Sequence, residues 1–127
     1  MSGDRRPRGL TARPSGRFAA YIALVHLMLK GYRILGFRLK LPQGEIDILA
    51  RKGNRLAMVE VKQRQLHETA IESVSITQQD RLWQAGLSLQ HSRPRWRDLD
   101  LCIDLYTLAP GRWPRHSLNA FEKSDTF

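Results

Sequence analysis

Asp47, Glu60 and Lys62 are the residues whose types and spacing point to chemistry. They lie in GEIDILARKGNRLAMVEVKQR, residues 44 to 64. Gly53-Asn54 is a recognised two-residue hairpin loop between two strand-like runs. With that pair at the turn, Lys52 pairs with Arg55, Leu49 faces Met58, Ile48 faces Val59, Asp47 faces Glu60 and Glu45 faces Lys62. Side chains alternate along a strand. One face therefore carries Ile46, Ile48, Ala50, Ala57, Val59 and Val61, and is expected to be the core side. The other carries Glu45, Asp47, Glu60 and Lys62, with Leu49 and Met58 nearer the turn. A slip of one residue would bury the charges, so the register is well specified.

Glu45 opposite Lys62 is a stabilising pair, whereas Asp47 opposite Glu60 is not, because like charges there stand only ~4.5–5.5 Å apart at Cβ. Either one carboxyl keeps a proton at neutral pH, or a positive group sits between them. Mg²⁺ suits such a place, since it takes one or two carboxylates and fills its remaining positions with water and phosphate oxygens. An ammonium at Lys62 would steady a phosphate or orient an attacking water.

Residues 16 to 30 read as a helix, with Phe18, Ile22, Val25 and Leu29 as its stripe and Gly31 as its stop. In YRILGFRLKL, Leu35, Phe37, Leu39 and Leu41 alternate with Gly36, Arg38 and Lys40, which predicts a strand. QRQLHETAIESVS reads as a loop with one helical turn. Thr77-Gln78-Gln79-Asp80 resembles a capping box opening a second helix, whose stripe is Leu82, Ala85 and Leu89. DLDLCIDLYTL predicts a strand with Leu99, Leu101, Ile103 and Leu105 on one side, and APGRWPRHSLNAF reads as loop. The fold class is therefore α/β: a mixed sheet of a three-strand antiparallel meander plus one crossover strand, flanked by helices. Residues 1–15 are expected as a flexible basic arm, 16–121 as a single domain and 122–127 as a frayed tail.

The chain has 127 residues, with 21 Lys and Arg against 12 Asp and Glu, a net charge of +9. That surplus points to a polyanion, nucleic acid before membrane. The single cysteine, Cys102, excludes an intrachain disulfide and a Cys-rich zinc site. His26, His67, His91 and His116 lack metal-ligand spacing. The run FAAYIALVHLML follows three arginines but is too short to span a bilayer, and is expected as a buried helix in a cytoplasmic protein. Trp83, Trp96 and Trp113 are expected to pack rather than to bind.

Asp47 together with Glu60-Val61-Lys62 resembles the signature of the PD-(D/E)XK nuclease superfamily. More closely, KGYRIL, GEIDILAR, VEVKQR and APGRWPRH with NAF resemble the YraN-like family of small uncharacterised bacterial proteins, over about Gly16 to Phe121. The resemblance implies a restriction-endonuclease-like fold and a metal-dependent endonuclease hydrolysing phosphodiester bonds, with DNA as partner and Mg²⁺ or Mn²⁺ as cofactor. On that mapping Asp47, Glu60 and Lys62 are catalytic. Asp47, Glu60 and the carbonyl of Val61 ligate the metal, and the fold allows a homodimer. Arg38, Lys40, Gln63 and Arg64 would hold nucleic-acid phosphates beside the acidic site.

The sequence departs from that pattern at Ala20, where family members usually carry a helix glutamate. Met58 stands where an aromatic residue is usual, and Cys102 where a basic one is common; Asp104 matches a family acidic position. The change at Ala20 raises an alternative expectation, a catalytically degenerate nucleic-acid-binding protein of the same fold. A third is a basic surface that docks an acidic protein assembly.

Overall fold

In the computed structural model, which describes residues 16–122, helix α1 (Gly16–Leu29) leads into strands β1 (Arg33–Leu41), β2 (Gly44–Lys52) and β3 (Arg55–Gln63). Two single 3-10 turns, His67–Thr69 and Ile71–Ser73, precede helix α2 (Ile76–Ser92), and strands β4 (Asp100–Leu108) and β5 (Arg115–Phe121) close the domain. The expected arm over 1–15, and residues 123–127 of the expected tail, lie outside the described residues. The sheet runs in the order β1-β2-β3-β4-β5. β3 and β4 are parallel and the other neighbours are antiparallel. A parallel pair needs a crossover, and α2 supplies it. The mixed α/β class expected from the sequence is what is observed.

Helix α1 ends as Gly31 dictates. Gly31 has φ 94 and its N–H donates to the Met28 carbonyl, while the Tyr32 N–H donates to that of Leu27. This is the paired closure that a left-handed residue permits. Helix α2 is capped two residues earlier than expected. Its cap is Ser75, whose hydroxyl accepts from the Gln78 N–H, rather than a box beginning at Thr77. Ser75-x-x-Gln78 fits the capping pattern as well, and its hydroxyl lies where the first free N–H groups of the helix point.

Each helix covers one face of the sheet. Ala23 and Leu27 of α1 pack with Ile48, Ala50, Ala57, Val59, Cys102 and Tyr106. Leu82, Trp83 and Ala85 of α2 pack with Leu49, Leu56, Met58, Ile103 and Leu105 on the other face. So the hairpin face that carries the charges is not wet along its length: it becomes a second core towards the turn. Leu99, Leu101 and Ile103 share the α2 side as expected, and Leu89 joins them. Ile46 also belongs to the α2 core and not to the apolar side read for it.

Three further readings are corrected. The α1 stripe points the other way: Ala19, Ala20, Ala23 and Leu27 are buried, whereas Phe18, Val25 and Leu29 are exposed. Small side chains let the helix lie close on the sheet, and a helix apolar on nearly all sides gives periodicity nothing to choose by. Strand β1 does not alternate cleanly. A bulge falls between Ile34 and Gly36, and Arg38 adopts φ 53. Leu35, Leu39 and Leu41 consequently meet the α2 core while Phe37 turns to α1 and stacks on Tyr21. Finally, residues 115–121, read as loop, form the antiparallel edge strand β5 on β4.

Candidate functional site

The Gly53-Asn54 turn has positive φ at Gly53 alone among its two central residues, as in a type II′ hairpin. The register then follows the sequence reading: Lys52↔Arg55, Arg51↔Leu56, Ala50↔Ala57, Leu49↔Met58 and Ile48↔Val59. Past Val59 the Asp47 side chain takes part in the join. Its Oδ2 accepts the Val61 N–H at 2.9 Å. This fixes the Asp47 carboxylate beside β3 and leaves its second oxygen for another partner.

Glu60 follows Val59 and is buried at the edge of the α2 core. Gln78 Nε2 donates to Glu60 Oε2 at 2.9 Å, and Lys62 Nζ stands 3.4 Å from the same oxygen. The ion-pair partner given to Lys62 is thus Glu60, two residues back on its own strand, and not Glu45 across the hairpin. Asp47, Glu60 and Glu45 line one cleft of about 360 Å³, closed on its far side by Ser75, Thr77, Gln78, Arg81 and Leu82 of α2 and its cap. Strand β2, strand β3 and the start of α2 therefore build the site together.

Both carboxylates are strained electrostatically. Burial pushes Asp47 above its ordinary value, against the Val61 hydrogen bond, and Glu45 pushes in the same direction. Burial raises Glu60 to about 7, and the charge on Asp47 adds to it, while Lys62 and Gln78 pull the other way. The two acids are therefore coupled, and Lys62 alone does not neutralise them. A divalent cation in the cleft would.

The acidic donors here are all carboxylate oxygens, which suit hard cations such as Mg²⁺ or Mn²⁺. Among the described residues no group of three or more His, Cys, Asp or Glu is placed to hold a metal. Two carboxylates beside an open cleft match a hard cation that keeps most of its positions for water and phosphate. Ala20, where the resemblance places a further glutamate, is buried on α1. The cleft is lined from β2, β3 and the α2 end of the molecule.

The basic candidates divide. Arg38 is exposed on β1 and its charge reaches Asp47, lowering that carboxyl's proton affinity. Lys40 is exposed and pairs in register with Glu45. Gln63 and Arg64 are half-buried at the end of β3, where the Arg64 guanidinium donates to the Gln63 carbonyl and the Arg64 N–H to that of Leu108. Val61, expected as a carbonyl ligand, is half-buried and holds Asp47 through its N–H.

Gln78 and Arg81 were not singled out from the sequence. The capping spacing Ser75-x-x-Gln78 was available as a signal, but it describes a local role. In a capping box the Gln side chain returns to the cap residue; here it reaches across to Glu60.

A second polar cluster lies on the α1 face. Asp104 is fully buried and accepts four hydrogen bonds: from Arg55 Nη1 at 3.0 Å and Nη2 at 2.8 Å, His116 Nε2 at 2.8 Å and the Asn119 N–H at 2.9 Å. Burial alone would raise it, but the hydrogen bonds from His116, Arg55 and Asn119 outweigh burial and hold it at about 2. Every lone-pair direction is occupied, so this carboxylate ties β3, β4 and β5 together and has nothing left for a ligand. Cys102 beside it is buried, and burial pushes its thiol up to about 12, so it is inert as a nucleophile.

Among the described residues no helix is long and apolar enough to cross a membrane. A model of the uncharacterised protein family UPF0102 matches residues 21–106. The chain is similar to a UPF0102 protein of Caulobacter vibrioides, 52% identical over 120 residues that cover 94% of this chain and 96% of the relative. A UPF0102 protein of a second Caulobacter species is 51% identical over 93% of this chain and 85% of its own length. One from Parvibaculum lavamentivorans is 44% identical, with 89% and 85% covered.

Proposed function

The chain belongs to the uncharacterised protein family UPF0102, and we propose that its acidic cleft is the site of a metal-dependent endonuclease of the PD-(D/E)XK, restriction-endonuclease-like kind, acting on DNA. One observation carries the reading: Asp47 and Glu60, both driven towards protonation, line one cleft, and the Lys62 ammonium stands 3.4 Å from Glu60. Burial raises the proton affinity of both acids and the charge on Asp47 raises that of Glu60 further, so the pair works against the fold when both are charged. The arrangement suits a cation and a phosphate.

Asp47 and Glu60 would hold Mg²⁺ or Mn²⁺, which when bound supplies Lewis-acid polarisation of a phosphate oxygen. The Val61 N–H fixes the rotation of Asp47. Gln78 fixes Glu60 and leaves its other oxygen free to turn to the cleft. The Lys62 ammonium offers a hydrogen-bond donor and positive charge where charge builds up on the scissile phosphate. Arg38, exposed on β1 with its charge felt at Asp47, and Arg81 on the α2 wall of the cleft would hold the flanking phosphates. Lys40 and Arg64 would extend that basic margin along β1 and the end of β3, with Gln63 as a neutral hydrogen-bonding neighbour.

The test is cleavage. Purified protein is incubated with duplex, single-stranded and branched DNA in Mg²⁺ or Mn²⁺, and again with chelator. Cleavage is expected with metal only. Asp47→Ala and Glu60→Ala abolish it, and Lys62→Ala lowers it about 100- to 1000-fold. Salt-dependent binding without cleavage of any substrate would instead mark a degenerate, purely binding member of the fold. Binding to acidic proteins but to no nucleic acid would point to a docking protein.

A further inference from the structure

The three tryptophans have different fates. Trp83 is buried under α2, and Trp96 is half-buried against the same core with the Arg93 guanidinium 5.1 Å from its ring. Trp113 is 89% exposed, the most exposed large apolar side chain among the described residues. It sits in Arg112-Trp113-Pro114-Arg115, between β4 and β5, with an exposed arginine on either side.

An exposed indole on a loose loop would mean little, but this loop is fastened. Gly111 takes φ 70 to make the turn, and the Arg112 N–H donates to the Ala109 carbonyl. The buried His67 bonds the Trp113 carbonyl through Nε2 at 2.9 Å, while its Nδ1 meets Thr107 Oγ1 at 2.6 Å. Both ring nitrogens of a buried histidine are thus spent on positioning this turn. Thr107 is in turn the strand partner of Lys62. The links from Lys62 through Thr107 and His67 to the Trp113 carbonyl place this turn beside β4, the strand next to β3, at the end of the sheet where Lys62 lies.

We propose that Trp113 is a stacking platform for an unpaired base of a single-stranded nucleic-acid segment, with Arg112 and Arg115 on its phosphates. The inference rests on the nucleic-acid reading of the acidic cleft and names which part of the substrate is held. Charge decides the occupant: Arg112 pairs with the exposed Glu68 at 3.6 Å and Arg115 adds a second positive charge, so the turn keeps a positive excess on a protein of net charge +9, which suits a polyanion. Stacking decides its form, because bases inside a duplex have no free face to offer, whereas every unpaired base has one. Such a contact next to a cutting site favours substrates with a duplex-to-single-strand junction.

The experiment is done in chelator, so that nothing is cut. A short oligothymidylate and a blunt hairpin duplex are titrated against wild-type protein, Trp113→Ala and Trp113→Phe, reading tryptophan emission and oligonucleotide anisotropy. Oligothymidylate is expected to quench wild-type emission. Trp113→Ala weakens its binding about 5- to 100-fold, Trp113→Phe restores most of it, and duplex affinity is unchanged. Wild-type affinity for oligothymidylate in Trp113→Ala, or equal losses on both probes, overturns the platform. Because metal is absent, failure to cleave DNA leaves this result standing. A cleaving enzyme whose Trp113→Ala form binds single strands normally would overturn the platform alone.

Discussion

Asp104 and Glu60 are both buried acids on central strands, and their surroundings push them in opposite directions. Asp104 has four donors and is held at about 2. Glu60 has Gln78 and a longer contact to Lys62, faces a second acid, and is raised to about 7. For Asp104 the folded value lies below the ordinary 3.8, so its ionisation stabilises the fold above pH ~4 and that contribution disappears as pH falls through about 2. Asp104→Asn leaves the Arg55 guanidinium without its counter-charge and is expected to cost about 2–4 kcal/mol in urea unfolding at neutral pH. It should also remove the acid-sensitive step from a stability profile. For Glu60 the sign is reversed. Its folded value lies above the ordinary 4.5, so ionisation subtracts stability as pH rises from about 4.5 towards 7. In metal-free protein at pH 8, Glu60→Gln is expected to raise stability by about 1–2 kcal/mol, read from the same unfolding curves. A loss of stability there would mean that the acid is satisfied within the fold.

Helix α2 both covers the second core and walls the cleft, so its distance from the sheet matters to the site. Gly86 sets that distance. A Cβ built there would stand 2.4 Å from the Met58 sulfur and 3.0 Å from Leu101 Cδ2. Met58 is fully buried, so its thioether would have to repack within the core to make room. Gly86→Ala is therefore expected to destabilise by about 1–2 kcal/mol in spite of alanine's better helix propensity, because overpacking outweighs it. A more stable Gly86→Ala protein would show that the helix can lift off. Elements whose signals are local were open to sequence reasoning. The Gly53-Asn54 turn set the hairpin register from Lys52↔Arg55 to Ile48↔Val59, and Gly31 set the end of α1. Strand β5 was not, since Pro114, the left-handed Asn119 (φ 49) and weak alternation hide it. What makes it a strand is its pairing along β4 and the Arg55, His116 and Asn119 bonds on Asp104, which are distant in sequence. The orientation of α1 was hidden for a different reason: nearly every side is apolar, and only the sheet selects Ala19, Ala20, Ala23 and Leu27.

Taken whole, the molecule is a basic body around a small acidic cleft. On the proposed reading the net charge of +9 would draw a polyanion in, and the acids Asp47 and Glu60 would repel its phosphates unless a cation intervenes. Nucleic-acid affinity should therefore fall linearly in log–log plots against salt, and rise when Mg²⁺ fills the cleft beyond what its screening alone allows. The juxtaposition of Asp47, Glu60 and Lys62 followed from residue types and one turn. The opposite wall did not, because Gln78 and Arg81 come from a helix whose docking the sequence does not register.

Calorimetric titration with Mn²⁺ probes the acidic pair most directly. Wild-type protein should take up one ion at a saturable site at pH 8, Asp47→Asn and Glu60→Gln should each lose it, and Lys62→Met should keep it. No saturable uptake by wild-type protein, or uptake undiminished by both acid substitutions, would contradict a cation held between Asp47 and Glu60.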